Sequence, residues 1–161
     1  VIQVGMTASV SSYAVRTGQQ PPLPGEKSLA QPDHTVLLLA DFEEAYLEQV
    51  APFGVKNVQP PDVTSGDEAI LQRGLKQMVQ DKAIVDLSER TLQVYVSFLG
   101  FYLEVASKVG LSKQQVVELA NHFIMWLFSC KEPPAIMRST QVRLDLVAVP
   151  GITVVDKKPA A

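Results

Sequence analysis

The sequence predicts a mainly α protein: a four-helix core with a small C-terminal β-hairpin (α+β in the broader sense) and an extended Pro-rich N-terminal arm. Three observations lead there. Apolar residues recur at helical spacing in four separate stretches, the pattern switches to alternation in "QVRLDLVAV", and "SSYAVRTGQQPPLPGEKSLAQPDH" is rich in Ser, Gln, Pro and Gly with few large apolar residues. At 161 residues, 47% hydrophobic and 19% charged, the chain is globular in composition and long enough to bury a real core. The expected division is an arm over 1–34, a single helical domain with its C-terminal strands over 35–156, and a tail over 157–161.

The arm cannot offset its own ordering entropy by burial, so it is expected to act as a strap that orders when docked. Its "PPLPGE" favours polyproline II and a turn, and Val1–Val4 suits a short strand. In "TVLLLADFEEAYLEQVAPFG", Leu39, Phe42, Tyr46 and Val50 recur at helical spacing until Pro52 and Gly54. One long helix is the preferred assignment. The alternative is a strand over Thr35–Ala40, followed by a shorter helix that Asp41 caps with Glu44 at its third position.

After a Pro- and Gly-bearing linker, Ser65 and Glu68 form an S-x-x-E capping box for a helix with Leu71, Leu75, Met78 and Val79 on its apolar face. Arg73, Lys76 and Gln77 mark the solvent side. The next helix starts near Asp86 or Ser88, with Glu89 able to close a box, and runs to Val109. Its polar residues Gln93, Ser97, Gly100 and Glu104 form one narrow stripe, so most of its circumference is apolar. The fourth helix, Lys113–Ser129, shares that character, with Glu118, Asn121 and His122 along one edge and Pro133-Pro134 beyond its end. Val142, Leu144, Leu146 and Ala148 then alternate with polar partners as in a half-buried strand. Pro150-Gly151 suits a type II turn, and Ile152–Val155 a second strand.

Between Ala106 and Leu119 the residues resemble a helix-turn-helix: small Ala106, Gly110 four residues on, then apolar Val116 and Leu119. That resemblance implies a DNA-binding regulator with Lys113, Gln114 and Gln115 facing the major groove. Only Lys108 and Lys113 are basic between Arg90 and Lys131, whereas DNA affinity depends on neutralising phosphates. The preceding helix is also long for the motif. A glycine-ended helix followed by a Ser112–Gln115 cap accounts for the same residues, so the corner is the preferred interpretation.

No chemistry announces itself elsewhere. The chain has no P-loop, G-x-S-x-G, H-E-x-x-H or paired C-x-x-C. Asp41, Glu43, Glu44 and Glu48 fit a solvated helix face, His122 near Glu118 a polar edge, and the single Cys130 a buried inert thiol. No catalytic residue, cofactor or metal site is therefore expected. The net charge of −3 offers no general attraction for nucleic acid, which makes it an improbable partner, and no segment is apolar enough to span a membrane. The first twenty residues lack a signal-peptide pattern, and either processing or an internal start accounts for Val1. A soluble chain of undetermined compartment is the expectation.

The apolar surplus on the third and fourth helices points to a non-enzymatic protein–protein interaction module: an oligomer, or a structural subunit or assembly factor of a larger complex. Phe98, Phe101, Tyr102, Phe123, Met125, Trp126 and Phe128 would contact the self or hetero partner. A bundle enclosing a small apolar ligand is the remaining alternative.

Overall fold

The computed structural model describes residues 1–18, 35–56, 58, 64–80 and 87–156. It is mainly α with a small β part, as expected, and divides into two compact units: Val1–Gln59 with Ser107–Gly110, and Pro60–Ala106 with Leu111–Ala161.

In the first unit β1 (Ile2–Val4) and β2 (Val36–Leu38) pair in parallel, with Ile2 opposite Val36 and Val4 opposite Leu38. Parallel neighbours need a crossover, and α1 (Val10–Arg16) lies within it. Gly5 turns the chain out of β1 at φ 73°, and its N–H bonds Leu38 O at 2.8 Å. Ser9 caps α1 by accepting from Ser12 N at 3.2 Å. A 3-10 turn at Asp41–Glu43, α2 (Tyr46–Val50) and a second 3-10 turn at Ala51–Phe53 follow β2, closed by left-handed Gly54. Tyr13, Tyr46 and Val50 form the buried centre, with Tyr13 edge-on to Tyr46 and tilted against Phe53.

The single long helix preferred for "TVLLLADFEEAYLEQV" is absent, and the strand alternative describes its first part. Phe42, Tyr46 and Val50 keep their helical spacing through the 3-10 turn and α2. Val36–Leu38 instead follows a strand partner far away in sequence, which local periodicity cannot sense. The expected arm carries β1 and α1 in its first half, while "PPLPGE" and the rest of 19–34 lie outside the described residues.

The second unit is built on α3 (Ser65–Gln80), α4 (Leu87–Val105) and α5 (Lys113–Phe128). α3 is capped one residue earlier than expected. Thr64 Oγ1 accepts from Asp67 N at 3.3 Å, and Asp67 Oδ2 accepts from Thr64 N at 3.0 Å and from its hydroxyl at 2.7 Å. The side chains of Leu75, Lys76, Met78 and Val79 lie outside the described residues, and Leu71, expected on the apolar face, is exposed.

Tyr95 and Leu99 of α4 pack with Val116, Val117, Ala120 and Ile124 of α5 and with Ile136 and Leu146 from the C-terminal segment. The stripe of Gln93, Ser97 and Glu104 faces solvent as predicted. α4 stops at Val105 rather than Val109. A 3-10 turn, Ala106–Lys108, finishes it, Gly110 takes φ 71°, and Leu111 N closes back on Ala106 O at 2.9 Å.

The expected C-terminal hairpin is replaced by β3 (Ile136–Met137) and β4 (Val154–Val155), paired in parallel across α6 (Arg138–Arg143). The alternation read in "QVRLDLVAV" belongs to the end of α6. Asp145 is left-handed at φ 53°, Leu146 N bonds Gln141 O at 3.0 Å, and Asp145 N bonds Val142 O at 3.0 Å. This Schellman closure swings Leu146 back into the core while Val142 stays in solvent, so two residues of separation do not signify one strand face.

Candidate functional site

The aromatic set singled out from sequence converges in part. Phe98 stacks on Phe123, 5.0 Å between ring centroids, and lies 4.4 Å from Tyr102, which meets Phe101 edge-on at 5.0 Å. Phe98, Tyr102, Met125 and Phe128 are half-buried against the core. Phe123 and Trp126 are exposed on α5, and Trp126 Nε1 donates a long hydrogen bond, 3.4 Å, to Glu68 Oε1. Among the described residues no large apolar side chain of α4 is exposed, and the surplus there reaches solvent at two α5 rings rather than as the expected broad patch.

The corner after α4 is a capped helix start. Ser112 Oγ accepts from Gln115 N at 3.2 Å, and Gln115 Oε1 accepts from Ser112 N at 2.8 Å. Gln114 donates to Glu118 Oε1 at 3.0 Å, and Lys113 pairs with Asp145. The three residues assigned to base reading under the helix-turn-helix alternative are each engaged locally. Cys130 is half-buried and donates weakly to Ile124 O. Among the described residues no three His, Cys, Asp or Glu side chains converge as metal ligands, and no helix is long and apolar enough to cross a membrane.

A polar relay joins the helices to the C-terminal turn. The Tyr95 hydroxyl donates to Asn121 Oδ1 at 2.6 Å, and Asn121 Nδ2 donates to Gly151 O at 2.9 Å. Burial pushes the Tyr95 hydroxyl up to about 12.

The site that sequence reasoning missed lies at the carboxyl end of the parallel pair, the edge where parallel sheets usually place their chemistry. Glu43, only 1% exposed, accepts from Met6 N through Oε1 at 3.0 Å and from Ala40 N through Oε2 at 2.9 Å. One carboxylate thus ties the segment leaving β1 to the segment leaving β2. Beside it Thr7 Oγ1 shares a 2.7 Å hydrogen bond with the Tyr46 hydroxyl. Tyr13 has its hydroxyl pKa raised, first by burial and then by neighbouring Tyr46. The sequence places Glu43 on a solvated acidic face, whereas two strand-exit N–H groups draw it into the interior. The available signal was Gly5 directly after an apolar run, which marks a strand exit needing partners for its next N–H groups.

No protein-family model and no solved structure matches the chain. Curated proteins do. It is 30% identical over 154 residues, 96% of its length, to the DEAD-box ATP-dependent RNA helicase 48 of Oryza sativa subsp. japonica. It is 30% identical across 99% of its length to the DEAD-box ATP-dependent RNA helicase 25 of Arabidopsis thaliana. To the mitochondrial ATP-dependent RNA helicase MSS116 of Phaeosphaeria nodorum it is 25% identical across 96%. The chain spans 17%, 26% and 26% of those three proteins. These similarities overturn three expectations from the sequence: the non-enzymatic interaction module, with its structural-subunit and assembly-factor roles; the absence of enzymatic function; and nucleic acid as an improbable partner. Net charge averages over the whole surface and does not exclude a local basic patch, and the absence of a named motif from these residues does not exclude an enzyme.

Proposed function

We propose that this chain is a working segment of a DEAD-box-type ATP-dependent RNA helicase, a protein that uses ATP in separating RNA strands. The observation that carries this is the extent of the similarity: 94–99% of the chain, through both compact units, aligns with helicases from plants and a fungus. The parallel β1–β2 pair supports it. Parallel strands occur almost only within larger sheets covered on both faces, which suits a segment of a bigger α/β protein better than a free-standing helical bundle.

The 161 residues contain no P-loop, so ATP turnover is assigned to the complete protein and not to this segment alone. The experiment is phosphate release by the complete protein with and without single-stranded RNA, alongside displacement of a labelled strand from an RNA duplex. RNA-stimulated release and ATP-dependent displacement are expected. A complete protein that neither turns over ATP nor retains RNA in low salt overturns the proposal.

A further inference from the structure

In the second unit, Val149–Val155 lies against the helices as a bound peptide lies in a groove. Val149 and Ile152 are half-buried against the core, while Pro150, Gly151 and Thr153 face solvent. Asn121 Nδ2 donates to Gly151 O at 2.9 Å, and Ile136 N donates to Thr153 O at 2.9 Å. Val154 and Val155 then pair in parallel with Ile136 and Met137.

These contacts hold a main chain more than a particular sequence. The Asn121 amide is a donor aimed at a backbone carbonyl, and the buried Tyr95 hydroxyl fixes its orientation by donating to Oδ1 at 2.6 Å. The β3 edge adds strand pairing, a common way for an extended peptide to join a sheet. Position 151 is read tightly, since at φ 88° a Cβ would stand 3.3 Å from Val117 Cγ1. The resident segment is lightly held. Its sheet pairs two residues of each strand, and the closing ion pair, Arg138–Asp156, is 64% and 74% exposed and therefore weak.

We propose that the groove lined by Tyr95, Val117, Asn121, Ile136 and Met137 is a peptide-docking site. Its ligand is a segment of a partner protein with the pattern aliphatic-x-Gly-aliphatic followed by a short strand. Val149–Val155 shows what fits, and fills the site in cis until such a segment displaces it. This inference does not rest on the helicase reading.

The probe is a fluorescent peptide with the sequence of Leu146–Asp156, and the readout is its anisotropy with the complete protein. In the unsubstituted protein the tethered segment competes at an effective concentration on the order of millimolar, so free peptide binds poorly. Emptying that segment with Val149→Ser and Ile152→Ser together should tighten peptide binding about 20-fold or more. Adding Asn121→Asp, which removes the amide donor, should weaken it again by about tenfold, as should Gly151→Ala in the peptide. A doubly substituted protein that keeps its native circular dichroism and does not bind the peptide overturns the proposal. Uptake of single-stranded RNA in place of the peptide overturns it as well, as does a dimer in which two copies exchange segments and the peptide does not compete. Hydrogen exchange in the unsubstituted complete protein decides the same point should the double variant fail to fold. A displaceable segment requires the Ile136 amide to exchange about tenfold or more faster than the Ala120 amide within α5. Equal rates mean that the segment leaves only when the helices unfold, and that result also overturns the proposal.

Discussion

Replacing Glu43 removes the carboxylate that bonds the exits of both β1 and β2. In Glu43→Ala the Met6 N–H loses its acceptor inside the unit, at a cost of about 1–3 kcal/mol for a buried donor left unmade. Ala40 is exposed, so water replaces the second bond to its N–H at little cost. A net loss of about 2 kcal/mol corresponds to roughly 30-fold faster opening-limited exchange of the amides that close the pair. These are Gly5 N, bonded to Leu38 O, and Val36 N, bonded to Val1 O, each at 2.8 Å. Hydrogen exchange followed by NMR or peptide mass spectrometry reads both. Glu43→Gln retains one amide oxygen as acceptor and should fall between the wild type and the alanine variant. If Gly5 and Val36 in Glu43→Ala exchange within about threefold of wild type, the carboxylate does not hold the strand exits together.

Three further outcomes follow from the helical unit. Thr64→Ala should destabilise α3 by about 1 kcal/mol through loss of its cap, seen as faster exchange in its first turn. Because the Thr64 hydroxyl and then its backbone N–H hold the Asp67 carboxyl below its ordinary value, that cap should weaken as pH falls below about 4, and the variant, which keeps the backbone bond, should show a smaller acid dependence. The Tyr95 hydroxyl is raised from 10.0 to about 12, so the folded state binds its proton more tightly. The resulting stability, on the order of 2–3 kcal/mol, is present below pH 10 and lost as pH rises toward 12. Tyr95→Phe should cost about 1 kcal/mol at neutral pH and abolish that alkaline loss, followed by Trp126 fluorescence in denaturant titrations. Gly151 sits at φ 88°, where a Cβ would lie 3.3 Å from Val117 Cγ1 and 3.4 Å from Asn121 Nδ2. Gly151→Ala should therefore destabilise by about 1–2 kcal/mol, and a neutral result would show that the turn relaxes away from α5.

Local chemistry was sufficient for much of the second unit. The Ser112–Gln115 cap, the left-handed Gly110 and Gly151, and the solvent stripe of α4 all lie within one or two turns of the residues that encode them. Helix, cap and turn are short-range phenomena, so a sequence alone determined these and with them the mainly α class. The Thr64–Asp67 cap lies one residue before the expected box, because sequence spacing leaves a helix start uncertain by a residue. Tertiary structure decided the remainder. β2 is a strand because it meets β1, Glu43 is buried because two strand exits present N–H groups to it, and Leu146 reaches the core because Asp145 reverses the chain. Each depends on a partner supplied from elsewhere or on a backbone reversal that periodicity does not encode. The similarity to RNA helicases was equally out of reach of the motifs, since none of the short catalytic patterns sought occurs in these residues.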